Sequence, residues 1–593
     1  MTESTSLPNR FIGRVADRGQ AEDAFAESSR LWPLTDERPA GSWHLFELES
    51  GAARPDGETL AEPGSALADL YALAARRRLQ PLHGAAVMRE TAAVVADPGI
   101  TDPTLRDLTE LPFVTIDEVH SKDLDQAVYV ERREGGTRVW YAIADPAWCV
   151  RPGSALFDEA LARGATYYLP GLVIPMLPRE LSEGIVSLNP GVDRRAMVFE
   201  VELDREGRVE TTRIHRARVR SRVKTSYDAV QAFYDGAPPP GAEPAETGRL
   251  IAESLERLAE VGQQRLALAE SRDIVAIRRQ EVAVGLADHQ GLRFIAMADP
   301  RLDVERYNEQ ISLLCNIEGA RFLLRGDTSH DGIQPVFRLH DPPTKRRLAE
   351  LAQQIEAIVR LRGLDEAPWR WRHGQQSLAD YLRGLPENGP HVRVARSIHR
   401  QAMLVGGRSM FADVPGAHYG VGAEVYGRFT APMREVVGIF AHQETWQKLG
   451  LAQSIAGAPE VDGERLSQQV VEVANRSRQT QRELDKEVNR HVLDQLFGDD
   501  LKRAPDDRPW RQGTVLGISR SKVHVGLDDP PIDVKVYIHH LQKRQSQRIA
   551  QGRDGMTLRN LATGDPVNAV GDAVAVRVAE RDAARDRWRL ELG

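Results

Sequence analysis

Asp117-Glu-Val-His-Ser-Lys-Asp-Leu-Asp-Gln126 follows the apolar run Leu111-Pro-Phe-Val-Thr-Ile116 and precedes Ala127-Val-Tyr-Val130. β-Branched and aromatic residues on both sides read as strands, so the acidic stretch lies at a strand mouth. Side chains alternate along an extended chain, which puts Asp123 and Asp125 on one face and Gln126 on the other. Neighbouring carboxylates repel unless a positive charge stands between them. A hard divalent cation supplies one, and Mg²⁺ is bound by a few carboxylates together with substrate phosphates. For an isolated Asp-x-Asp the plainer alternative is a solvated acidic turn.

Working outward, Glu134-Gly135-Gly136 is a turn signal, and Val139, Tyr141 and Ile143 alternate after it. This predicts a hairpin pairing 125–131 with 138–144, with Asp145 brought beside Asp123 and Asp125 as a further acid. Ser154 to Arg163 reads as a helix with Ser154 as its N-cap and Gly164 as its C-cap. Strands are expected over 197–203 and 208–220, and a proline-rich surface loop over 235–244. Helical periodicity then dominates, in a long helix carrying Leu250 to Val261 and in 304–324, 344–362, 392–411 and 464–497.

The two ends differ from this middle. After about residue 508, Gly513-x-Val515, Val523-x-Val525, Val534-x-Val536-x-Ile538, Val574-x-Val576-x-Val578 and Trp588-x-Leu590-x-Leu592 alternate strictly, which suits a five-stranded OB barrel. Residues 1–85 read as a small α/β module of winged-helix type, with helices over Gln20–Leu31 and Ala66–Leu79 and a strand over Trp43–Leu48. Residues 86–110 read as a linker with one helix. The fold class is therefore α+β and multidomain, in keeping with 593 residues.

Composition narrows the function classes. With 41 % hydrophobic and 28 % charged residues the chain has an ordinary globular balance, and no apolar run approaches the ~20 residues of a membrane span. Met1-Thr-Glu-Ser-Thr-Ser6 lacks the features of a signal peptide. Cys149 and Cys315 read as free thiols in a reducing cytoplasm, and no Cys/His set has zinc spacing. A net charge of −8 argues against indiscriminate nucleic-acid coating. Basic residues gather near the C-terminus, at Lys502, Arg503, Arg508, Arg511, Arg520, Lys522, Lys535, Lys543, Arg544, Arg548 and Arg553, which predicts a basic stripe on an acidic body.

Several longer motifs resemble the catalytic domain of the ribonuclease II family, the RNB domain. They are Phe113–Asp117, Lys122–Asp125, Ile143-Ala-Asp-Pro146, Pro152-Gly-Ser154, Tyr168-Leu-Pro170, Ile174–Ser182, Ser187-Leu-Asn-Pro190 and Phe429-Thr-Ala-Pro-Met-Arg434. The resemblance runs from about residue 90 to the C-terminus, giving an RNB domain over 111–500. Val536-Tyr-Ile-His-His-Leu541 and Gly571–Val574 resemble an S-one-type RNA-binding barrel over 508–593.

The resemblance implies a processive 3′-to-5′ exoribonuclease, cutting single-stranded RNA to nucleoside 5′-monophosphates with Mg²⁺, or with Mn²⁺ in its place. A cytoplasmic monomer is expected. Of the family's four aspartates, Asp117, Asp123 and Asp125 match as metal ligands, and the fourth position is Gln126, a neutral ligand. Ala431 and Glu435 depart from the arginine motif. Gln126 leaves a second reading open, a catalytically weak or silent RNA-binding regulator, and a DNA-directed nuclease is a third.

By the same resemblance Asp125 also orients the attacking water and Arg434 stabilises charge on the phosphate. A salt bridge around Glu435 is the structural alternative for Arg434. Tyr168 is expected to stack on the 3′-terminal base, with its neighbour Tyr167 as the control, and Tyr227 with Glu309 to read the 2′-hydroxyl. On the barrel, Lys522, Lys535, Tyr537 and His539 are the expected RNA contacts, and His340 and His442 are expected to be structural.

Overall fold

Phe113–Asp117, Gln126–Arg133 and Gly136–Ala144 are adjacent strands of a six-stranded sheet. This computed structural model describes residues 10–593 apart from 18, 27, 29, 242–244, 273–280, 288–290, 300, 327–331, 365, 452–462 and 546–547. Met1–Ser6, the end of the 235–244 loop and the side chains of Lys543 and Arg544 lie outside the described residues. The sheet runs in the order Asp193–Asp204, Gly136–Ala144, Gln126–Arg133, Phe113–Asp117, Val209–Ser226, Arg106–Asp107. The 18-residue strand Val209–Ser226 closes it: its first part pairs antiparallel with Asp193–Asp204, and its end runs parallel to Phe113–Asp117 until Ser226 meets Asp117. An irregularity between Ser221 and Val223 bends the strand where it changes partner.

The predicted hairpin is present and longer than expected, with Gln126 opposite Ile143 and Arg133 opposite Gly136. Glu134-Gly135 makes the turn, and Gly135 has φ +85°, a left-handed conformation that favours glycine there. Phe113, Val130, Val139, Tyr141, Met197 and Phe199 are fully buried beneath the helices that cover the sheet. The stretch expected as a linker is more structured than that. It contributes the helix Ala85–Ala96 and the edge strand Arg106–Asp107. Glu90 of that helix accepts from the Ala155 and Leu156 amides at 3.0 and 2.9 Å, satisfying the start of the next helix.

That next helix is Ala155–Arg163, with Ser154 Oγ accepting from the Phe157 amide and Gly164 at its end. The helix expected over 392–411 stops at Val405, where Gly406-Gly407 follow; Met410–Ala412 is instead a strand paired with Phe337–Leu339. Gly463–Leu501 is a 39-residue helix, roughly 58 Å long at 1.5 Å per residue. It reaches from the helix Ala155–Arg163 to Arg77 and to the C-terminal strands. Ser477 lies against the Arg163 carbonyl, Glu483 and Glu487 pair with Arg77, and Asp500 takes both arms of Arg511.

The N-terminal module corrects the expectation. In place of a helix over Gln20–Leu31 there are strands at Gln20–Asp23 and Arg30–Pro33, and the module is not of winged-helix type. With Arg10–Ala16, Trp43–Glu49 and Ala52–Pro55 they form a sheet in the order third-second-first-fourth-fifth, and a parallel bridge from Leu34 to Ala53 links its two edges. The C-terminal strands Arg511–Ile518, Lys522–Leu527, Asp533–Tyr537, Ala573–Asp582 and Arg587–Leu592 follow the same order. There a helix, Ile538–Gln545, and a separate three-stranded sheet are inserted between the third and fourth strands.

Candidate active site

The acidic loop is held from both sides. Asp117 Oδ1 accepts from the Glu118 amide at 2.8 Å and from Ser121 Oγ at 2.9 Å. Lys224 Nζ donates to the Val119 and Ser121 carbonyls. Ser187 Oγ donates to the Lys122 carbonyl at 2.7 Å and accepts from the Leu124 amide at 3.0 Å. The Ser187-Leu-Asn-Pro190 motif thus fixes the backbone between Asp123 and Asp125.

Asp125 is 2 % exposed and Arg434 Nε donates to its Oδ2 at 2.6 Å, while the Met433 amide approaches Oδ1 at 3.3 Å. Burial pushes the Asp125 carboxyl up to about 6, against the pull of Arg434. Burial also works against the Arg434 charge, but Asp125, Asp123 and Asp117 together hold its pKa above the ordinary arginine value. Only Nε is engaged; among the described residues the two terminal nitrogens of Arg434 have no hydrogen-bond partner. The expected alternative, a bridge near Glu435, belongs to a different arginine: Glu435 accepts from Arg428.

Tyr168 faces this group. It is 43 % exposed and its hydroxyl donates to Asp123 Oδ2 at 3.3 Å, whereas Tyr167 beside it is 5 % exposed and belongs to the core. The Thr166 amide donates to the Arg434 carbonyl at 2.9 Å, and the Val436 amide to the Gly164 carbonyl at 3.0 Å, so the tyrosine and arginine segments are bonded to one another. Gln481 clasps Tyr168, accepting from its amide at 3.2 Å and donating to its carbonyl at 3.1 Å. A cavity of about 210 Å³ opens between Tyr168, Arg428, Arg434 and Gln481.

Gln126 points to the other face, as alternation requires. Its Nε2 donates to the Thr430 carbonyl, and its Oε1 accepts from the Tyr141 hydroxyl and from Ser312 Oγ. Asn316, one helical turn beyond Ser312, accepts from the Phe429 amide at 2.6 Å and the Thr430 amide at 3.3 Å, and donates to Thr430 Oγ1 at 3.0 Å. Sequence reasoning missed Asn316. Its signal in the sequence is a polar residue inside the apolar run Leu313-Leu-Cys-Asn-Ile317, and the structure buries it to 1 % exposure.

Two expectations fail here. Asp145 does not join the acids. The Ala144 amide donates to the Asp125 carbonyl, so Asp145 falls opposite Leu124 and takes its face of the hairpin, turned away from Asp123 and Asp125. Its carboxylate lies buried near Arg195, Arg216 and Trp446. Glu309 does not meet Tyr227 either. Asn308 Nδ2 donates to the Tyr227 hydroxyl at 3.4 Å, while Glu309, about 100° further round the helix, pairs with Arg301 at 3.0 Å. His340 and His442 are structural, bonded to Gly407 and Gly420 and to Phe429 respectively.

Among the described residues no three His, Cys, Asp or Glu side chains are drawn closely enough together to hold a metal ion. The donor chemistry nevertheless fits a hard cation. Asp117 Oδ2 and Asp123 Oδ1 accept no hydrogen bond among the described residues, and both carboxylates belong to the group around Arg434.

On the C-terminal barrel, Lys522 and Tyr537 are cross-strand partners, with Nζ 5.3 Å from the ring centre. Arg587, absent from the expected contacts, has its guanidinium carbon 4.3 Å from the centre of the same ring and a terminal nitrogen 3.2 Å from His539 Nε2. Lys535 sits on the same face, opposite His524. The expected basic stripe is partly consumed: Arg511 pairs with Asp500, Lys502 with Asp499, and Arg508 donates to the Val578 and Ala579 carbonyls.

The RNB domain model matches residues 105–449. The chain is 27 % identical over 481 residues to ribonuclease R of Escherichia coli K12, covering 80 % of this chain and 55 % of that one. It thus spans about half the length of that relative. Mycoplasma genitalium RNase R, solved with ribose-methylated single-stranded RNA, superposes with a TM-score of 0.78 at 19 % identity, over 100 % of this chain and 91 % of that one. Yeast Ssd1, described as a pseudonuclease, superposes with a TM-score of 0.59 at 13 % identity, over 97 % and 68 %. These two likenesses are of fold.

Proposed function

Because the chain belongs to the RNB-domain family, we propose that it is a 3′-to-5′ exoribonuclease that hydrolyses single-stranded RNA to nucleoside 5′-monophosphates. The observation that carries the reading is Arg434, fixed by Nε to a buried carboxylate with the fork of its guanidinium unpaired beside Tyr168 and the acidic loop. A guanidinium fork matches phosphate oxygens, so Arg434 binds the scissile phosphate and stabilises the charge that develops on it. Asp117 and Asp123 would hold the divalent cation, Mg²⁺ or Mn²⁺, with Asp125 behind them. Such a cation, when bound, neutralises phosphate charge and makes water a better nucleophile at neutral pH. Tyr168 stacks on the terminal base and so sets which phosphate reaches Arg434. Tyr227 with Asn308, in place of Glu309, offers the donor and acceptor that a 2′-hydroxyl needs.

The face carrying Lys522, Lys535, Tyr537, His539 and Arg587 guides the RNA strand, in a barrel assigned to 508–593 beside a catalytic domain assigned to 111–500. No helix among the described residues is long and apolar enough to cross a membrane. The reading places the protein in the cytoplasm as a monomer. Gln126, an amide at the position of the fourth family aspartate, favours a second reading, an RNA-binding relative without turnover.

The test compares the parent with Asp125→Asn on 5′-labelled linear oligo(A) and on a circular RNA, with Mg²⁺. The parent is expected to shorten linear RNA from its 3′ end, release 5′-monophosphates and leave circles intact. Asp125→Asn is expected to bind RNA but turn over at least about a hundredfold more slowly. Circles cut as fast as linear strands would overturn the exonuclease reading. A parent that binds RNA without cutting it would establish the second.

A further inference from the structure

We infer that Gln126 is a positioning residue: its side-chain amide ties the strand that leads from Asp125 to the loop that carries Arg434, and it is not a ligand for a cation. A primary amide offers two acceptor lone pairs and two donors. At Gln126 both lone pairs of Oε1 are met, by the Tyr141 hydroxyl and Ser312 Oγ, and Nε2 is spent on the Thr430 carbonyl. The oxygen that would face a cation is already used. The Tyr141 and Ser312 oxygens lie 2.8 Å apart, so the two hydroxyls sit side by side on the acceptor side of the amide.

The residue type follows from this arrangement. A carboxylate at 126 cannot donate to the Thr430 carbonyl and would set an anion against its oxygen in a half-buried place, a costly pairing. The loop hangs from three points: Asn316 holds the Phe429 and Thr430 amides, Gln126 holds the Thr430 carbonyl, and Asp125 holds Met433 and Arg434. Thr430 lies four residues before Arg434. Releasing the middle point lets the loop shift relative to Asp125. A misplacement of about 1 Å costs up to about 10²-fold in rate.

The inference rests on the exoribonuclease reading for its kinetic arm only. Gln126→Glu keeps length and removes the donor; Gln126→Met keeps length, adds no charge and decides the matter should the charged variant fail to fold. Both are expected to lower kcat by about 10- to 100-fold at unchanged KM for RNA. The Mg²⁺ concentration for half-maximal rate should stay at the parent value in Gln126→Glu. Independently of activity, amide hydrogen exchange over 429–434, followed in EDTA, should accelerate in both variants. A Gln126→Glu protein that needs less Mg²⁺ than the parent would make position 126 a metal site. Unchanged exchange and unchanged kcat would equally overturn the inference. An inactive parent removes the exoribonuclease reading and leaves the exchange result to decide the clamp.

Discussion

Tyr167 and Tyr168 are adjacent and chemically identical, yet one is core and the other lies open beside Arg434. The difference is the period of two along a short strand, and it carries a prediction. In an Asp125→Asn background, Tyr168→Ala should weaken RNA binding by about 1–3 kcal/mol, the worth of one stacked base. Tyr167→Ala should instead lower the unfolding free energy by about 3–5 kcal/mol, the cost of truncating a buried aromatic ring. Titrations with oligo(A) and thermal melts on both variants separate the two, and equal effects on binding would remove Tyr168 from the RNA path. At this scale the sequence was most legible where a motif named the residue itself, as for Asp125 and Arg434. It failed where the inference depended on phase. The hairpin register brings Asp145 level with the acids, but the period of two turns it to the Leu124 face, and Glu309 is one position from Asn308, a 100° step on a helix.

Elements were legible where local chemistry and packing agree. The helix Ala155–Arg163 begins at a serine cap and ends at Gly164, and both were readable because caps act over three or four residues. Gln20–Leu31 was not, because its strands exist through pairing with Arg10–Ala16, a contact invisible to a local pattern. Gly164 shows how an element end positions the site. Its φ is +76°, and a Cβ there would stand 2.1 Å from Ser477 Oγ on the long helix. Its carbonyl also anchors the Val436 amide, just past Arg434. Gly164→Ala therefore combines a strained backbone with a clash against a packed helix, and should destabilise by about 2–4 kcal/mol. Urea unfolding measures this directly. The variant should also lose activity at temperatures where it remains folded, because the Tyr168 and Arg434 segments share that junction. Parent-like stability would mean that the long helix yields without cost.

At the scale of the whole molecule the C-terminal barrel is no loose appendage. Arg393 pairs with Asp528, Arg362 with Asp572, Trp588 Nε1 donates to Asp494 at 2.7 Å, and Ser397 and Gln401 reach the Val515 and Leu516 carbonyls. Its apolar residues share one core with the helices Lys345–Arg362, Val392–Val405 and Gly463–Leu501. Removing the barrel would strip that core, so a deletion cannot separate RNA binding from stability. Surface charge can. The net charge of −8 makes an indiscriminate grip on RNA unfavourable, so binding should come from a few local cations. Lys522 and Lys535 lie on the face that carries Tyr537, and neither forms an ion pair among the described residues. Arg587 lies on the same face but is tied to Asp582, which makes it a poorer probe. Changing Lys522 and Lys535 to glutamine should leave thermal stability near the parent value, as expected for surface substitutions. If both lysines contact phosphates, the slope of log K against log salt for single-stranded RNA should flatten by about 0.7 for each, or about 1.4 together. The rate on oligonucleotides too short to span from the barrel to Tyr168 should not change. A parent-like salt slope in the double variant would place the RNA on another face of the barrel, while a slower rate on the short substrates would show that these lysines act on the catalytic site itself.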